Sequence, residues 1–196
     1  MRPETRWPGQ RRPAAGLRSG PAPSWLRHFD YDTTRRPKDK DIQGGAYAEL
    51  IEEQYNLEKE AVYYKIVRQI TSEAGVQNSS QITVDYAPAY QQLVFHTIQV
   101  LRQGRIIDQL NLSKIKQVRS ETDLERFIYS GIYTAYLTLE DIRPGDKIVY
   151  AYTLNGMNPV FDHQCVNFLY FNTGSPVSHL FISLITPAGK KIYLRY

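Results

Sequence analysis

From Ala46 to the end, the chain is a succession of short segments in which apolar and polar residues alternate, each closed by Gly, Pro, Asn, Asp or Ser. Period-two alternation puts one set of side chains on each face of an extended strand, and strands this short, separated by turn clusters, close into a sandwich or a barrel. AYAELIEEQYN (46–56) and AVYYKIVRQIT (61–71) read as a hairpin-like pair, with Val62, Tyr64, Ile66 and Ile70 on one face. SEAGVQNSS (72–80) is a polar connection with room for one helical turn, and QITVDY (81–86) is a strand that Pro88 ends. QLVFHTIQVLRQGRIIDQL (92–110) is the clearest local signal, two strands around a turn at Gly104.

The second half continues the pattern. LSKIKQVRS (112–120) alternates, and ETDLERFIY (121–129) reads as a short helix capped by Ser120 or Thr122. TAYLTLEDI (134–142) and KIVYAYTLNG (147–156) flank the turn Arg143-Pro144-Gly145-Asp146, which is expected to clamp the two strands together, with Ile148, Tyr150, Tyr152 and Leu154 sharing a face. CVNFLYF (165–171), SHLFISLITP (178–187) and KKIYLRY (190–196) complete the set. The expected fold is all-β, a two-layer antiparallel sandwich with at most one or two short helical turns.

Ahead of the strands the composition changes. Residues 1–23 are rich in Arg, Pro, Gly and Ala without apolar periodicity and are expected to be a disordered tail, Trp7 included. Residues 24–45 read as an extended linker or strap with Trp25, Leu26, Phe29 and Ile42 as apolar anchors, and residues 46–196 as the sandwich module. The net charge of +4 originates in this leading segment: residues 1–40 carry 10 Lys/Arg against 4 Asp/Glu, leaving 14 against 16 for the rest. The module itself is therefore near neutral, which points away from nucleic acid. No apolar run is long enough to cross a bilayer as a helix, and the N-terminus lacks the apolar stretch of a signal peptide. The chain reaches Tyr196 within a strand pattern, so the natural polypeptide is expected to continue, truncated here.

Few residues carry chemistry. On a strand, His163 and Cys165 would face the same side, just after Asp162, and an imidazole beside a thiol is the minimum for nucleophilic catalysis. Cys165, however, opens an apolar run, where a buried structural cysteine is the common case. His28, His96, His163 and His179 show no metal-ligand spacing, and no second cysteine exists; His96, between Phe95 and Thr97, reads as a hydrogen-bonded sheet histidine. Glu52-Glu53 and Glu140-Asp141 with Asp146 are pairs of the kind used in hydrolysis, but nothing in their spacing fixes a separation, and both groups are expected to be solvated turn residues. Gly44-Gly45, Gly104 and Gly145 sit in turns without a phosphate-binding context. No catalytic residue, metal ligand or cofactor is expected.

Tyrosine is the unusual inventory: Tyr47, Tyr55, Tyr63, Tyr64, Tyr86, Tyr90, Tyr129, Tyr133, Tyr136, Tyr150, Tyr152 and Tyr170 all fall in the module. Exposed rings on a sheet could stack on sugars or anchor a partner, which gives an alternative reading as a carbohydrate or cell-surface binding module; a sandwich also absorbs Tyr with the ring inside and the hydroxyl at the edge.

The runs AGVQNSSQITVDYAPAYQQLVFHTIQVLRQGRIIDQLNLSKIK (74–116) and LEDIRPGDKIVYAYTLNG (139–156), with the lead-in from Pro23 to Ile70, resemble the DUF3857 family, a bacterial domain of unknown function that precedes transglutaminase-like cysteine-protease cores in exported proteins. The resemblance implies a β-sandwich accessory role, with Cys, His and Asp supplied by a separate downstream domain, a peptide or protein as the substrate it helps position, and a periplasmic or outer-membrane location. Cys165 does not match that nucleophile, since it lies within the sandwich module. Cys165 is then expected to react slowly with an alkylating reagent near neutral pH in the native chain; rapid labelling with an apparent pKa well below that of free cysteine would contradict a structural role.

Overall fold

The computed structural model describes residues 16–120, 131–161 and 175–193. Strands β1 (Leu17–Ser19), β2 (Ala46–Asn56), β3 (Ala61–Ile70), β4 (Gln81–Tyr86), β5 (Gln92–Arg102), β6 (Arg105–Asp108), β7 (Lys116–Ser120), β8 (Ile132–Thr138), β9 (Lys147–Asn155) and β10 (Val177–Ile185) form two sheets, and among the described residues there is one short α-helix, α1 (Glu73–Ser79). The larger sheet runs β1-β5-β9-β3-β2-β10, with β6 beside the end of β5; the smaller is β4-β8-β7. The expected all-β sandwich is the fold.

The hairpins form where the sequence places them. β2 and β3 pair antiparallel from Ala46↔Ile70 to Asn56↔Ala61, and β5 turns into β6 through Gln103 and Gly104. Both turn residues have positive φ, 48° and 78°, the combination that a two-residue turn matched to the right-handed strand twist requires. Between the sheets lies the apolar core: Leu93, Phe95, Ile98 and Val100 of β5 and Ile148 of β9 meet Ile82, Val84 and Tyr86 of β4 and Ala135 and Leu137 of β8. Tyr150, Tyr152 and Leu154 pack against this core from the same face of β9 as Ile148, as their spacing predicts.

Four expectations are corrected. β8 and β9 are not clamped together across the Arg143–Asp146 turn: β8 pairs with β4 and β7 in the small sheet while β9 pairs with β3 and β5 in the large one, so this turn carries the chain from one layer to the other. The large sheet is not wholly antiparallel, since β1 joins β5 and β10 joins β2 in parallel. Leu17–Ser19, placed by composition in the disordered tail, forms β1, because three residues suffice to pair with Leu93–Phe95 at the open side of β5. KKIYLRY makes no strand over its described part, where Ile192 and Tyr193 are exposed and no neighbouring strand supplies a ladder. ETDLERFIY and CVNFLYF lie outside the described residues, as does Trp7.

Gly45 is required by close approach. Its carbonyl accepts from the amides of Thr71 and Ser72, and a Cβ there would lie 2.4 Å from the Gly75 nitrogen, so this contact between the start of β2 and α1 admits no side chain. Phe95 and Ile98 are at most 1% exposed. Truncating Phe95 to alanine should lower unfolding stability by about 3–5 kcal/mol in a denaturant titration; a change below about 1 kcal/mol would mean that the interface between the sheets is not the core.

Candidate functional site

The face of the large sheet turned away from the small sheet is polar to an unusual degree for buried surface. Glu49, Glu52, Gln54, Asn56, Thr153 and Ser183 are all buried. Buried polar groups need partners, and two of these residues, Glu49 and Gln54, find them in the segment Gly20 to Tyr31, which crosses the sheet from β5 to β10. Pro21 and Pro23 suit that path, because proline favours extended backbone and has no amide to leave unpaired.

Two β-bulges aim side chains at the crossing segment. The register of β5 against β9 shifts between Phe95 and Thr97, and that of β2 against β3 between Ala48 and Leu50, which makes His96 and Glu49 the extra residues. A bulge turns its extra side chain out of strict alternation. His96 Nδ1 lies 2.9 Å from the Gly20 carbonyl oxygen and Nε2 lies 2.7 Å from Thr153 Oγ1. Since a carbonyl only accepts, Nδ1 carries the proton and donates, and the Thr153 hydroxyl donates to Nε2. Tyr63 stacks on the imidazole at 5.9 Å. Burial holds the His96 pKa below its ordinary value, in spite of the backbone hydrogen bonds that favour the charged form.

Farther along, Gln54 grips the segment at both polar groups of one peptide: the Arg27 amide donates to Oε1 and Nε2 donates to the Arg27 carbonyl, each at 2.8 Å, while Nε2 also donates to Glu52 Oε1. Phe29 stacks on Phe181 of β10 at 4.4 Å between ring centroids with an interplanar angle of 7°. The Tyr31 hydroxyl donates to Glu49 Oε1, and its ring meets His179 at 5.3 Å. The other oxygen of Glu49 pairs with Lys147 Nζ, and the His179 ring donates from Nδ1 to the Glu49 carbonyl. Burial first and the Glu49 carboxylate second push the Tyr31 pKa up to about 12.

The residues singled out from the sequence are dispersed. Glu52 and Glu53 point to opposite faces, Glu52 to Gln54 and Glu53 to the Tyr55 hydroxyl, so they are not an acid/base pair. Glu140 pairs with Lys114. Asp146 is buried and held by Arg102 through both carboxylate oxygens at 2.8 Å, and Arg102 also reaches Asp141, which tie the end of β5 to the turn before β9. Burial raises the Asp146 pKa, but the hydrogen bonds from Arg102 and the Arg143 amide outweigh it and leave it lowered. His28 pairs with Asp30 at the surface. Asp162, His163 and Cys165 lie outside the described residues. Among the described residues no three His, Cys, Asp or Glu side chains gather as a metal site, and no helix is long and apolar enough to cross a membrane.

The tyrosines divide by burial. Tyr47, Tyr55, Tyr63 and Tyr86 are buried. Tyr64, Tyr90, Tyr133, Tyr136, Tyr150 and Tyr152 are half-buried, while Tyr129 and Tyr170 lie outside the described residues. Tyr64, Tyr150 and Tyr152 stack on one another within the large sheet, ring against ring, where a sugar-binding platform would leave them open. An open cleft of about 540 Å³ is lined by Arg35, Arg36, Lys38, Asp41, Ser175 and Ser178.

Compared with known proteins, residues 58–196 match the model of a domain of unknown function with solved structure, DUF3857. The chain belongs to the DUF3857 family. No curated protein matches the chain. A crystal structure from Parabacteroides distasonis, named as a "putative protease", is similar at 14% identity and a TM-score of 0.49, over 58% of this chain and 23% of that one. The chain thus spans about a quarter of that protein's length. The DUF3857 match begins at residue 58, after β2 and after the crossing segment, so the contacts of Gly20, Arg27, Phe29 and Tyr31 with the sheet are made by residues ahead of it.

His96 is legible in the sequence as a hydrogen-bonded sheet histidine, but this face as a whole is not, because Glu49, Glu52 and Gln54 look like solvent positions in a strand. The signal that could have found them is the run AYAELIEEQYN, in which Leu50, Glu52 and Gln54 share one face, so an apolar residue and two polar ones must share an environment. His96 supplies a pH test. Its folded pKa is lowered, so its contribution is present above the unfolded value of about 6.5 and is lost as pH falls toward the folded value. Unfolding stability should therefore fall on acidification below about pH 6.5, and a His96→Gln variant should show a flatter profile over that range; identical profiles would contradict a buried neutral His96.

Proposed function

We propose that this DUF3857 chain is a non-catalytic accessory module, a β-sandwich that positions a transglutaminase-like catalytic domain of the same parent protein, or guides that domain's protein or peptide substrate. The observation that carries the reading is membership of DUF3857 over residues 58–196, together with the resemblance of the quoted runs to modules that precede such catalytic cores. The geometry supports it. The ionisable side chains that come together among the described residues are committed to structural partners: Arg102 to Asp146, Glu49 to Lys147 and Tyr31, and His96 to Gly20 and Thr153. A general base needs a proton to take from a substrate within reach, and each of these groups already has a partner within the fold.

Amine transfer and peptide hydrolysis assayed on the purified chain should give no turnover above the blank, with Cys165→Ala indistinguishable from the parent chain. Turnover that disappears in Cys165→Ala would overturn the proposal and make this chain an enzyme in its own right.

A further inference from the structure

We infer that residues 20–31 are a clamp that fixes β10 to the body of the module. β10 is the outermost strand of the large sheet, and among the described residues its ladder partner is β2 alone, from Val177↔Ala48 to Ile185↔Asn56. An edge strand held on one side has one ladder and whatever packs on its faces. Here the face contacts come from the crossing segment, with Phe29 stacked on Phe181 and Tyr31 against His179. The other end of the segment is anchored at the opposite side of the same sheet, where the Gly20 amide donates to the Phe95 carbonyl at 3.0 Å and the Gly20 carbonyl accepts from His96. Gln54 pins the middle at Arg27.

The clamp therefore links β5, a core strand, to β10, the strand farthest from it in the sheet, without passing through the ladder order β5-β9-β3-β2-β10. Both bulges serve this link, since His96 and Glu49 leave strict alternation at the points where the segment is held. β2 and the clamp both precede the residues matched to the DUF3857 model, so the attachment of β10 to the body depends on residues ahead of the matched segment. This gives the positioning role proposed above a physical element and rests on that reading only for its purpose. The clamp is read out on this chain alone, whereas the accessory role fails on turnover, so the two failures are distinguishable.

Hydrogen exchange followed by mass spectrometry on the whole chain tests the clamp. In Phe29→Ala, amides of β10 (177–185) should exchange at least about tenfold faster than in the parent while those of β5 and β9 stay unchanged, the pattern of a local opening and not a global one. Phe29→Leu, which keeps an apolar side chain on Phe181, should show a smaller acceleration confined to β10, and it decides the matter if Phe29→Ala does not fold. Unchanged exchange in β10, or equal acceleration in β10, β5 and β9, would overturn the inference.

Discussion

A large sheet has two faces to cover, and in this molecule the two are covered by different physics. The small sheet lies on one face and excludes water with aliphatic and aromatic side chains, the ordinary hydrophobic solution. The other face carries buried carboxylate, carboxamide and hydroxyl groups, and it is stable only if each finds a partner. The crossing of residues 20–31 supplies backbone groups at Gly20 and Arg27 and a phenol at Tyr31, in register with His96, Gln54 and Glu49. Strip that segment away and Gln54, which is fully buried, loses the peptide that satisfies both ends of its amide.

This division explains what the ionisable side chains of the described polar face are used for: they hold the fold together. A catalytic group needs an unsatisfied proton or lone pair facing a substrate. On the polar face Glu49 serves three elements at once, through Tyr31, Lys147 and the His179 contact with its carbonyl, and His96 bridges Gly20 and Thr153. Such groups rigidify an arrangement. The same reasoning applies at the Arg102–Asp146 pair, a bidentate contact that joins the end of β5 to the turn leading into β9 and so fixes how the chain passes between layers.

Much of the fold was legible in the sequence where the determinant is local. Period-two alternation located β2, β3, β4, β5 and β9, and the Gln103-Gly104 pair fixed a hairpin because only a few residue types tolerate its backbone angles. Alternation names a face, however, and not a neighbour. That is why β8 was expected beside β9 across a turn that in fact changes layers, and why the parallel pairs β1–β5 and β2–β10 were invisible: their partners lie far apart in sequence. The candidate site was the least legible part. Phe29 stood out as an apolar anchor, but its seat on Phe181 is set by the position of β10, and the bulges at Glu49 and His96 leave no mark in composition.

If residues 20–31 hold the sheet together, the crossing segment and the far edge of the sheet are energetically coupled. A double-mutant cycle between Phe29 and Phe181, built from denaturant unfolding of the parent chain, Phe29→Ala, Phe181→Ala and the double variant, measures that directly. A stacked pair of this geometry predicts a coupling of about 0.5–1.5 kcal/mol. Additive single effects, with a coupling indistinguishable from zero, would contradict it.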